Sequence, residues 1–495
     1  MSALRIAGAL RSCVGGAQTI AVQATTIAEL RRAIAEGYPE LGARVLRDGE
    51  FSSFVTVFVD GEDARFIAPD ADISRARTIE MLPAMSGGAT ALARSPLGNA
   101  ARREIHGSFV DETIGLVARV APGIISFAVG SPAAEALALT DAAALAAAVL
   151  EREGTSALGY GITEGDPELR EIVAAAARRR GIRAGAEDVI VTAGALQAID
   201  IACRLFVSPG DLVVTESPGF ANALSALRNH GARVLEVPVD EDGIDVAAAE
   251  RALRARGERP VLFFVVPNFQ NPTGATLTCE RREALLALAR GYGAVVVEDD
   301  PYGELRFRGE PLPPLASLGD GVVSIGSFSK TFLPGIRVGW AIADGGTIRR
   351  MAAAKQTMDS STSTLGQRLV VEFHRRGGVD LHLAALRALY RERQERAQAA
   401  LTREFAAAAE VRWTNPEGGF YLWLRLPAAV SARRLLDAAL AEGVAFVPGD
   451  AFTIAGDFTS ALRFSYSWPT GDRIDEGVRR LRRAYDRVRR DAAPG

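Results

Sequence analysis

The feature that most constrains the fold is an alternation of short apolar strands, turns and amphipathic helices through the middle of the chain. The alternation runs through three pairs of strand and helix and a last strand: 188–192 with 195–206, 212–215 with 219–229, 261–266 with 280–291, and 294–298. Such alternation predicts a parallel sheet covered by helices. Beyond about residue 365, long helical sequence gives way to short strands at 420–426 and 461–466, which predicts a smaller α+β domain.

Length and composition favour several globular domains. The chain has 495 residues, of which 48% are hydrophobic and 24% charged, so more than one core is expected. A formal net charge of -3 provides no field that attracts nucleic acid. The cysteines, Cys13, Cys203 and Cys279, lack the spacing of a disulfide framework or a zinc site and fit a reducing cytoplasm. Apolar runs such as 261–266 are far too short to span a membrane.

Residues 1–88 predict a separate small domain with ββαββ order. Its four strands are expected at 4–9, 18–23, 54–59 and 78–82. Gly15-Gly16 provides a turn between the first two strands, and Thr26 to Glu29 has capping-box spacing ahead of a short amphipathic helix. After Gly87-Gly88 the sequence is rich in Ala, Ser, Arg and Pro, which predicts a linker over 89–103.

Polar residues follow four strands of the predicted sheet, at the carboxyl ends where open α/β sheets bind ligands. Strand 188–192 runs into Ala193-Gly194 and then a helix, whose free backbone N–H groups are suited to a phosphate. Strands 261–266, 294–298 and 322–326 end, in this order, in Asn268-Phe269-Gln270-Asn271-Pro272-Thr273-Gly274, in Asp299-Asp300-Pro301-Tyr302, and in Ser327-Phe328-Ser329-Lys330 followed by Arg337.

This set of residue types suits pyridoxal 5'-phosphate (PLP). A lysine that forms an imine needs partial desolvation and a nearby cation to stay deprotonated, and Arg337 beside the phosphate provides that cation. A buried carboxylate keeps the pyridine nitrogen protonated, so that the ring withdraws electrons from the substrate Cα. We therefore expect a PLP enzyme.

Over about residues 100–490, the strings NPTG, EDDPY, SFSK, GIRVGW, LGYGITEGDPELR and LRFSY resemble those of fold-type I PLP-dependent aminotransferases of the aminoadipate/kynurenine-type branch. The resemblance implies a large, mixed but mostly parallel sheet domain at about 140–365. It implies a small α+β domain at about 366–495, completed by the segment that starts at 104. It further implies a homodimer that transfers an α-amino group between an amino acid and a 2-oxo acid.

The same resemblance assigns roles to single residues. Around the cofactor it implies an imine and proton shuttle at Lys330, a pyridinium partner in Asp299, hydrogen bonds to the phenolic oxygen from Asn271 and Tyr302, and phosphate contacts from Ser327, Arg337 and, from the neighbouring subunit, Tyr160. Phe220 is implied over the ring, and Arg463 is implied to bind the substrate α-carboxylate near Asn271 and Gly130.

Two segments depart from the family pattern. The usual Gly-Ser-Gln at the phosphate helix reads Gly194-Ala195-Leu196, which leaves only backbone donors and predicts looser cofactor binding. The usual Phe-Ala-Gly-Gly segment near the substrate carboxylate reads Phe127-Ala128-Val129-Gly130, whose extra bulk is expected to restrict substrates.

The N-terminal strings ALRSCVGGA, FVTVFVDGEDARF and MLPAMSGG resemble ubiquitin-like sulfur carriers of the ThiS/MoaD type, which implies a β-grasp fold over residues 1–88. Such carriers hold sulfur as a thiocarboxylate on a terminal glycine with a free carboxyl group. Gly88 is instead followed by Ala89, so sulfur transfer requires cleavage after Gly88, with a protease and an E1-like activating enzyme as partners. The alternative is an uncut docking module.

Three further functions stay open at this point. One is a sulfur-carrier fusion in sulfur amino acid or thio-metabolite biosynthesis, and another is a PLP lyase on the same fold. A transcription regulator with an aminotransferase-like domain is the third, although residues 1–88 lack a helix-turn-helix and a basic recognition helix. No metal is expected, since the histidines lack ligand spacing: His106, His230, His374 and His382. The sequence does not specify which amino acid is the substrate.

Overall fold

The fold is taken from a computed structural model of the chain. The residues described are 2–83 without 7–9, 11–12, 48, 53–54, 61, 65–66, 75 and 77, then 105–108, 110 and 123–492. They form two compact units, Met1–Ile105 and His106–Gly495. The predicted linker 89–103 and Gly88 lie outside the described residues, so the domain boundaries set from sequence stay predictions.

The first unit is a small mixed sheet crossed by a helix. Its strands are β1 Ser2–Ile6, β2 Thr19–Val22, β3 Leu46–Arg47, β4 Glu50–Phe51, β5 Val55–Val59, β6 Glu62–Asp63 and β7 Ile79–Pro83, and its helices are α1 Ile27–Gly37 and α2 Pro39–Val45. Five strands form one sheet in the order β2-β1-β7-β5-β6, and β1 and β7 at its centre run parallel. The helix α1 buries Ile27, Leu30 and Ile34 in the core of this unit.

The predicted ββαββ order was incomplete. The structure adds α2, which begins at Pro39 directly after α1, and three strands of two residues each, β3, β4 and β6. Strands this short carry no readable alternation, which is why the sequence pattern missed them. The capping residue Thr26 accepts a hydrogen bond from Glu29 N, while the Glu29 carboxylate accepts from Thr25 N.

The second unit contains two main sheets. Its strands are β8 Ile125–Ser126, β9 Val189–Thr192, β10 Leu212–Ser217, β11 Arg233–Asp240, β12 Gly243–Ile244, β13 Pro260–Val265, β14 Val295–Asp299, β15 Val322–Ser327, β16 Gly339–Ile342, β17 Arg412–Trp413, β18 Tyr421–Arg425, β19 Val444–Ala445, β20 Val447–Pro448 and β21 Ala461–Ser465. Its helices are α3 Ala134–Ala138, α4 Ala142–Glu153, α5 Pro167–Arg179, α6 Ala195–Phe206, α7 Ala221–Asn229, α8 Val246–Arg256, α9 Cys279–Tyr292, α10 Leu315–Leu318, α11 Gly345–Gln356, α12 Thr364–Arg375, α13 Val379–Phe405, α14 Ala432–Ala441 and α15 Gly471–Ala492.

The larger of these sheets, here called the large sheet, has eight strands in the order β12-β11-β10-β13-β14-β15-β16-β9. The five strands from β11 to β15 are parallel neighbours, and β16 runs antiparallel to both β15 and β9. Val213 and Val297 pack with α6 and α11 on one face, while Val214 and Val296 pack with α8 and α9 on the other. Burial on both faces explains the near-continuous apolar strands, and the predicted mixed, mostly parallel sheet is confirmed.

The other sheet, here called the small sheet, has the order β17-β18-β21-β20 and is antiparallel throughout. The early segment around β8 joins its core, since the Phe127 and Phe464 rings stack with centroids 3.9 Å apart. On α15, Arg483 and Arg487 both pair with Glu442, as expected of a solvated helix face. No helix within the described ranges is long and apolar enough to cross a membrane.

Candidate active site

A cavity of about 350 Å³ lies at the carboxyl ends of β13, β14 and β15. Most of the side chains singled out from the sequence line it: Gly130, Ala195, Leu196, Phe220, Asn271, Asp299, Tyr302, Ser327, Lys330, Arg337 and Arg463. Gly194 adjoins it, because a Cβ at this position would lie 2.6 Å from Arg337 Nη2. Tyr160 is 98% exposed and does not line the cavity, and Gly88 lies outside the described residues.

Lys330 is the one lysine in this cavity, and the whole sequence contains only one other, Lys355. Its Nζ donates a hydrogen bond to the Gly130 carbonyl oxygen at 2.7 Å. Burial lowers the pKa of Lys330, and the Arg463 guanidinium lowers it further. Lys355 is fully buried on α11 and is ion-paired with Asp359 at 2.8 Å. The amine suited to nucleophilic attack is therefore Lys330.

Asp299 ends β14 inside the cavity, and its Oδ1 is buried without a hydrogen-bond partner among the described residues. Burial raises the pKa of Asp299 to about 7, and the neighbouring Asp300 carboxylate adds to this rise. Asp300 instead has partners of its own, Arg180 at 2.5 Å and Asn268 at 2.9 Å. Burial tends to raise the pKa of Asp300, but the Arg180 guanidinium brings it below the usual value. Of these two carboxylates, Asp299 is therefore the one available to a ligand in the cavity.

Arg463 and Tyr302 occupy the side of the cavity next to the small sheet. Arg463 donates to Asn271 Oδ1 at 3.0 Å and to the Ala128 carbonyl oxygen at 2.6 Å, and its Nε has no partner among the described residues. The hydroxyls of Tyr302 and Tyr421 lie 3.2 Å apart. The Arg463 guanidinium and the two tyrosine hydroxyls can therefore still form hydrogen bonds with a ligand in the cavity.

Sequence reasoning missed Tyr421. Its ring lies 4.4 Å from Arg463 Cζ, and its hydroxyl would be 2.1 Å from a Cβ at position 130, so only glycine fits there. The strand 420–426 was predicted, but a strand pattern does not tell which of its side chains meets a cavity built by another sheet. Phe452, the other aromatic ring on the Arg463 guanidinium, follows β20 and was missed for the same reason.

At the opposite end of the cavity, the turn before α6 presents backbone N–H groups. Gly194 has a φ of 84°, which glycine adopts without strain, and Arg337 lies against it. The turn is held from outside by Gln197, whose Oε1 accepts from Ala193 N at 2.7 Å and whose Nε2 donates to Asp359 at 2.8 Å. Gln197 thus orders the turn, but it adds no side-chain donor at the Ala195 and Leu196 positions.

A scan of family models matches Aminotransferase class I and II over residues 122–481 and the ThiS family over residues 4–88. The chain belongs to the class I and II aminotransferases. It is a PLP-dependent aminotransferase of fold type I with a ThiS-family domain at its N-terminus, as the sequence predicted. The β-grasp fold of the first unit and the expected reaction class are thereby confirmed.

Two similar proteins and one solved structure illustrate the relationship. The 2-aminoadipate transaminase of Thermus thermophilus is 41% identical over 385 residues, which are 77% of this chain and 94% of that protein. The aromatic-amino-acid aminotransferase 1 of Thermococcus litoralis is 36% identical over 364 residues, 72% of this chain and 87% of that protein. The crystal structure of LysN, an alpha-aminoadipate aminotransferase from Thermus thermophilus complexed with N-(5'-phosphopyridoxyl)-L-leucine, matches with a TM-score of 0.73 at 39% identity. This match covers 79% of this chain and 98% of the LysN chain.

The cavity of this aminotransferase fits PLP on three observations. A buried carboxylate oxygen on Asp299 has no partner among the residues that the structure describes, and a protonated ring nitrogen would supply one. A single lysine with a lowered pKa faces the same space. The free N–H groups at the start of α6, with Arg337 beside Gly194, form a cradle for an anion.

The raised pKa of Asp299 makes the stability of the cofactor-free aminotransferase depend on pH. Between about pH 4 and pH 7 the folded chain keeps a proton that the unfolded chain releases, so stability falls as pH rises through this window. D299N removes the proton uptake. Between pH 5 and pH 7.5, the free energy of unfolding of the wild type should therefore fall by on the order of 3 kcal/mol more than that of D299N.

Thermal unfolding of both cofactor-free proteins across this pH range measures the difference. D320N is the matched control, because the side chain of Asp320 is 99% exposed, and its melting temperature should track that of the wild type at every pH. A gap between D299N and the wild type that stays constant with pH would contradict an elevated pKa.

Proposed function

We propose that the aminotransferase uses Lys330 as its catalytic amine and accepts amino acids and 2-oxo acids whose side chains are uncharged. The preference for uncharged side chains rests on which positively charged residues line the cavity. Its cations among the described lining residues are Lys330, Arg337 and Arg463. Each has a proposed role with the cofactor or the shared α-carboxylate, so none of these three is left for a second carboxylate.

The proposed roles follow from the chemistry of each side chain. Bound PLP supplies an electron sink that stabilises negative charge at the substrate Cα. Asp299 holds the ring nitrogen protonated. The other proposed cofactor contacts are hydrogen bonds to its phenolic oxygen from Asn271 and Tyr302, phosphate contacts from Ser327, Arg337 and the backbone N–H groups of Ala195 and Leu196, and ring contact with Phe220. Gly194 N donates to the Thr192 carbonyl oxygen at 2.8 Å, so Gly194 shapes the turn without donating to the phosphate.

Lys330 and Arg463 act on the substrate in this proposal. Lys330 Nζ would take the proton from the substrate Cα and later return one, a role that its lowered pKa supports. Arg463 binds the substrate α-carboxylate through its guanidinium, whose position is set by Asn271 and by the carbonyl of Ala128 next to the Val129-Gly130 segment.

The space left for the substrate side chain is mostly apolar. Its walls include Val110, Val129 and Phe452, with Ser131 and Asn222 as neutral polar neighbours. A carboxylate buried there would lose its hydration without gaining a cation, which is unfavourable. Between the substrate classes named for the two relatives, these walls favour an apolar side chain over an acidic one.

The role of Lys330 predicts where the cofactor is trapped. Borohydride reduction of the PLP-bound wild type should leave pyridoxyl on Lys330, detected by peptide mass mapping. In K330A the only lysine left is Lys355, which is buried and ion-paired, so no pyridoxyl lysine should form. K355R is the control and should be labelled like the wild type. Label on Lys355 in K330A would refute the assignment.

The substrate preference is tested with pairs of similar shape and different charge. Norleucine should exceed 2-aminoadipate, and glutamine should exceed glutamate, by about tenfold or more in kcat/KM, because an unpaired buried charge opposes binding. Single-turnover conversion of the PLP form by each amino acid, followed by its visible absorbance, gives these values without a second substrate. Equal or higher values for the acidic members would contradict the proposal.

We also propose that the enzyme is a homodimer. Leu158, Tyr160 and Ile162 are 64%, 98% and 52% exposed on one short segment, an unusual cluster of large exposed side chains for a surface without a partner. In a two-fold dimer, Tyr160 would reach the phosphate site of the neighbouring subunit. Sedimentation analysis should therefore give a dimer, and Y160F should weaken PLP binding about fivefold through loss of one hydrogen bond. A fully active monomer would rule this out.

The ThiS-family domain leaves two functions open beyond transamination. Cleavage after Gly88 would create a sulfur carrier that needs a protease and an activating enzyme, whereas an uncut chain would use the β-grasp surface for docking. Gly88 lies outside the described residues, so both remain predictions from the sequence. Intact-mass analysis of the native protein separates them, since a fragment ending at Gly88 arises only by cleavage.

A further inference from the structure

The segment 452–456 links the substrate cavity to the large sheet. It begins at Phe452, which is fully buried and whose ring centroid lies 5.1 Å from Arg463 Cζ. The Phe452 carbonyl oxygen accepts a hydrogen bond from Gly219 N at 2.8 Å. The segment connects β20 to β21 of the small sheet, whereas Gly219 follows β10 of the large sheet. The place of the Phe452 ring thus depends on contacts between the two sheets.

Glu236, in the middle of β11, makes most of these contacts. Its Oε1 accepts hydrogen bonds from Thr453 Oγ1 at 2.7 Å and from Ile454 N at 3.0 Å. Its Oε2 accepts from Ala455 N at 2.7 Å. Ser217, at the end of β10, adds a longer contact of 3.4 Å from its hydroxyl. One carboxylate therefore binds three consecutive residues of the opposing segment.

The donor set requires a carboxylate. No ion pair to Glu236 occurs in the described part of the chain, and its partners are hydroxyls and backbone N–H groups. A carboxylate accepts through both oxygens, and such charge-assisted bonds are stronger than neutral ones. A glutamine would present an amide NH₂ to one of these donors. The fit is also close, since a Cβ on Gly456 would lie 3.0 Å from Ser217 Oγ.

We propose that Glu236 is a positioning residue for the substrate site, which holds segment 452–456 on the large sheet and so keeps Phe452 against the Arg463 guanidinium. Arg463 lies between two rings, with Tyr421 at 4.4 Å and Phe452 at 5.1 Å from Cζ. Its Nε has no partner within the described residues, so these rings contribute to fixing the plane of the guanidinium. Release of one ring lets the guanidinium rotate away from the fork geometry that a carboxylate needs.

The consequence for function rests on the proposed role of Arg463 as the α-carboxylate site. Amino acid and 2-oxo acid share that carboxylate, so both lose affinity when Phe452 is released. The bond between Lys330 and the cofactor does not involve Glu236. The expected signature is a rise in both KM values with kcat and cofactor trapping retained, together with faster exchange of the amides that Glu236 holds.

The experiment compares E236Q with E241Q in the full-length, PLP-bound protein. Glu241 is exposed at the β11–β12 turn, which makes it a matched control for the loss of one negative charge. In E236Q, hydrogen exchange of a peptide spanning Thr453 to Gly456 should become about tenfold faster, and KM for norleucine and for its 2-oxo acid should each rise about tenfold. We expect kcat within about twofold of the wild type and borohydride labelling of Lys330 unchanged.

Thr453→Val gives a second, milder test, because it removes one donor to Glu236 and leaves the charge in place. In this variant, hydrogen exchange of segment 452–456 and both KM values should rise as in E236Q, by a smaller factor. If E236Q does not fold, this variant tests the role of Glu236 in its place. E236Q matching E241Q in exchange and in both KM values would overturn the proposal. A wild type without transamination would defeat the proposed function, and the exchange comparison alone would then support or overturn the holding role.

Discussion

The parallel pairing of β13, β14 and β15 is the constraint on which the rest of the site depends. Parallel strands end at the same edge of a sheet, so the residues that follow them meet although they are far apart in sequence. Asn271, Asp299 and Lys330 enter one cavity for this reason. Because the large sheet is covered on both faces, its strands are rigid, and they fix side chains whose chemistry needs defined separations.

Several polar groups in this cavity are buried without being satisfied. Asp299 Oδ1 and Arg463 Nε have no partners among the described residues, and the pKa of Asp299 is raised while that of Lys330 is lowered. Such groups reduce the stability of the empty site. In the proposed function these groups would pair with a protonated ring nitrogen, a carbonyl carbon and a carboxylate, so binding of cofactor and substrate would offset the free-energy cost of burying them.

The surroundings of Arg463, the proposed substrate site, are completed across the boundary between the two sheets. Tyr421 and Phe452 come from the small-sheet side and flank Arg463, whereas Glu236 and Gly219 on the large-sheet side bind the segment that contains Phe452. A contact of this type couples the position of the small sheet to the orientation of the guanidinium. With Arg463 in its proposed role, substrate affinity would depend on residues that do not touch the substrate.

The sequence by itself determined the fold class, the reaction class and most of the cavity. Apolar periodicity located strands such as β9 and β13 within about two residues. Short motifs such as SFSK were enough to assign Lys330 to the cavity. It failed at β11 and β16, whose patterns were not recognised, and at Tyr421 and Glu236. Local patterns report burial, but the partner of a side chain is decided by how separate elements pack. Glu236 lies 217 residues from Thr453, and only the tertiary structure brings that carboxylate to the segment that it binds.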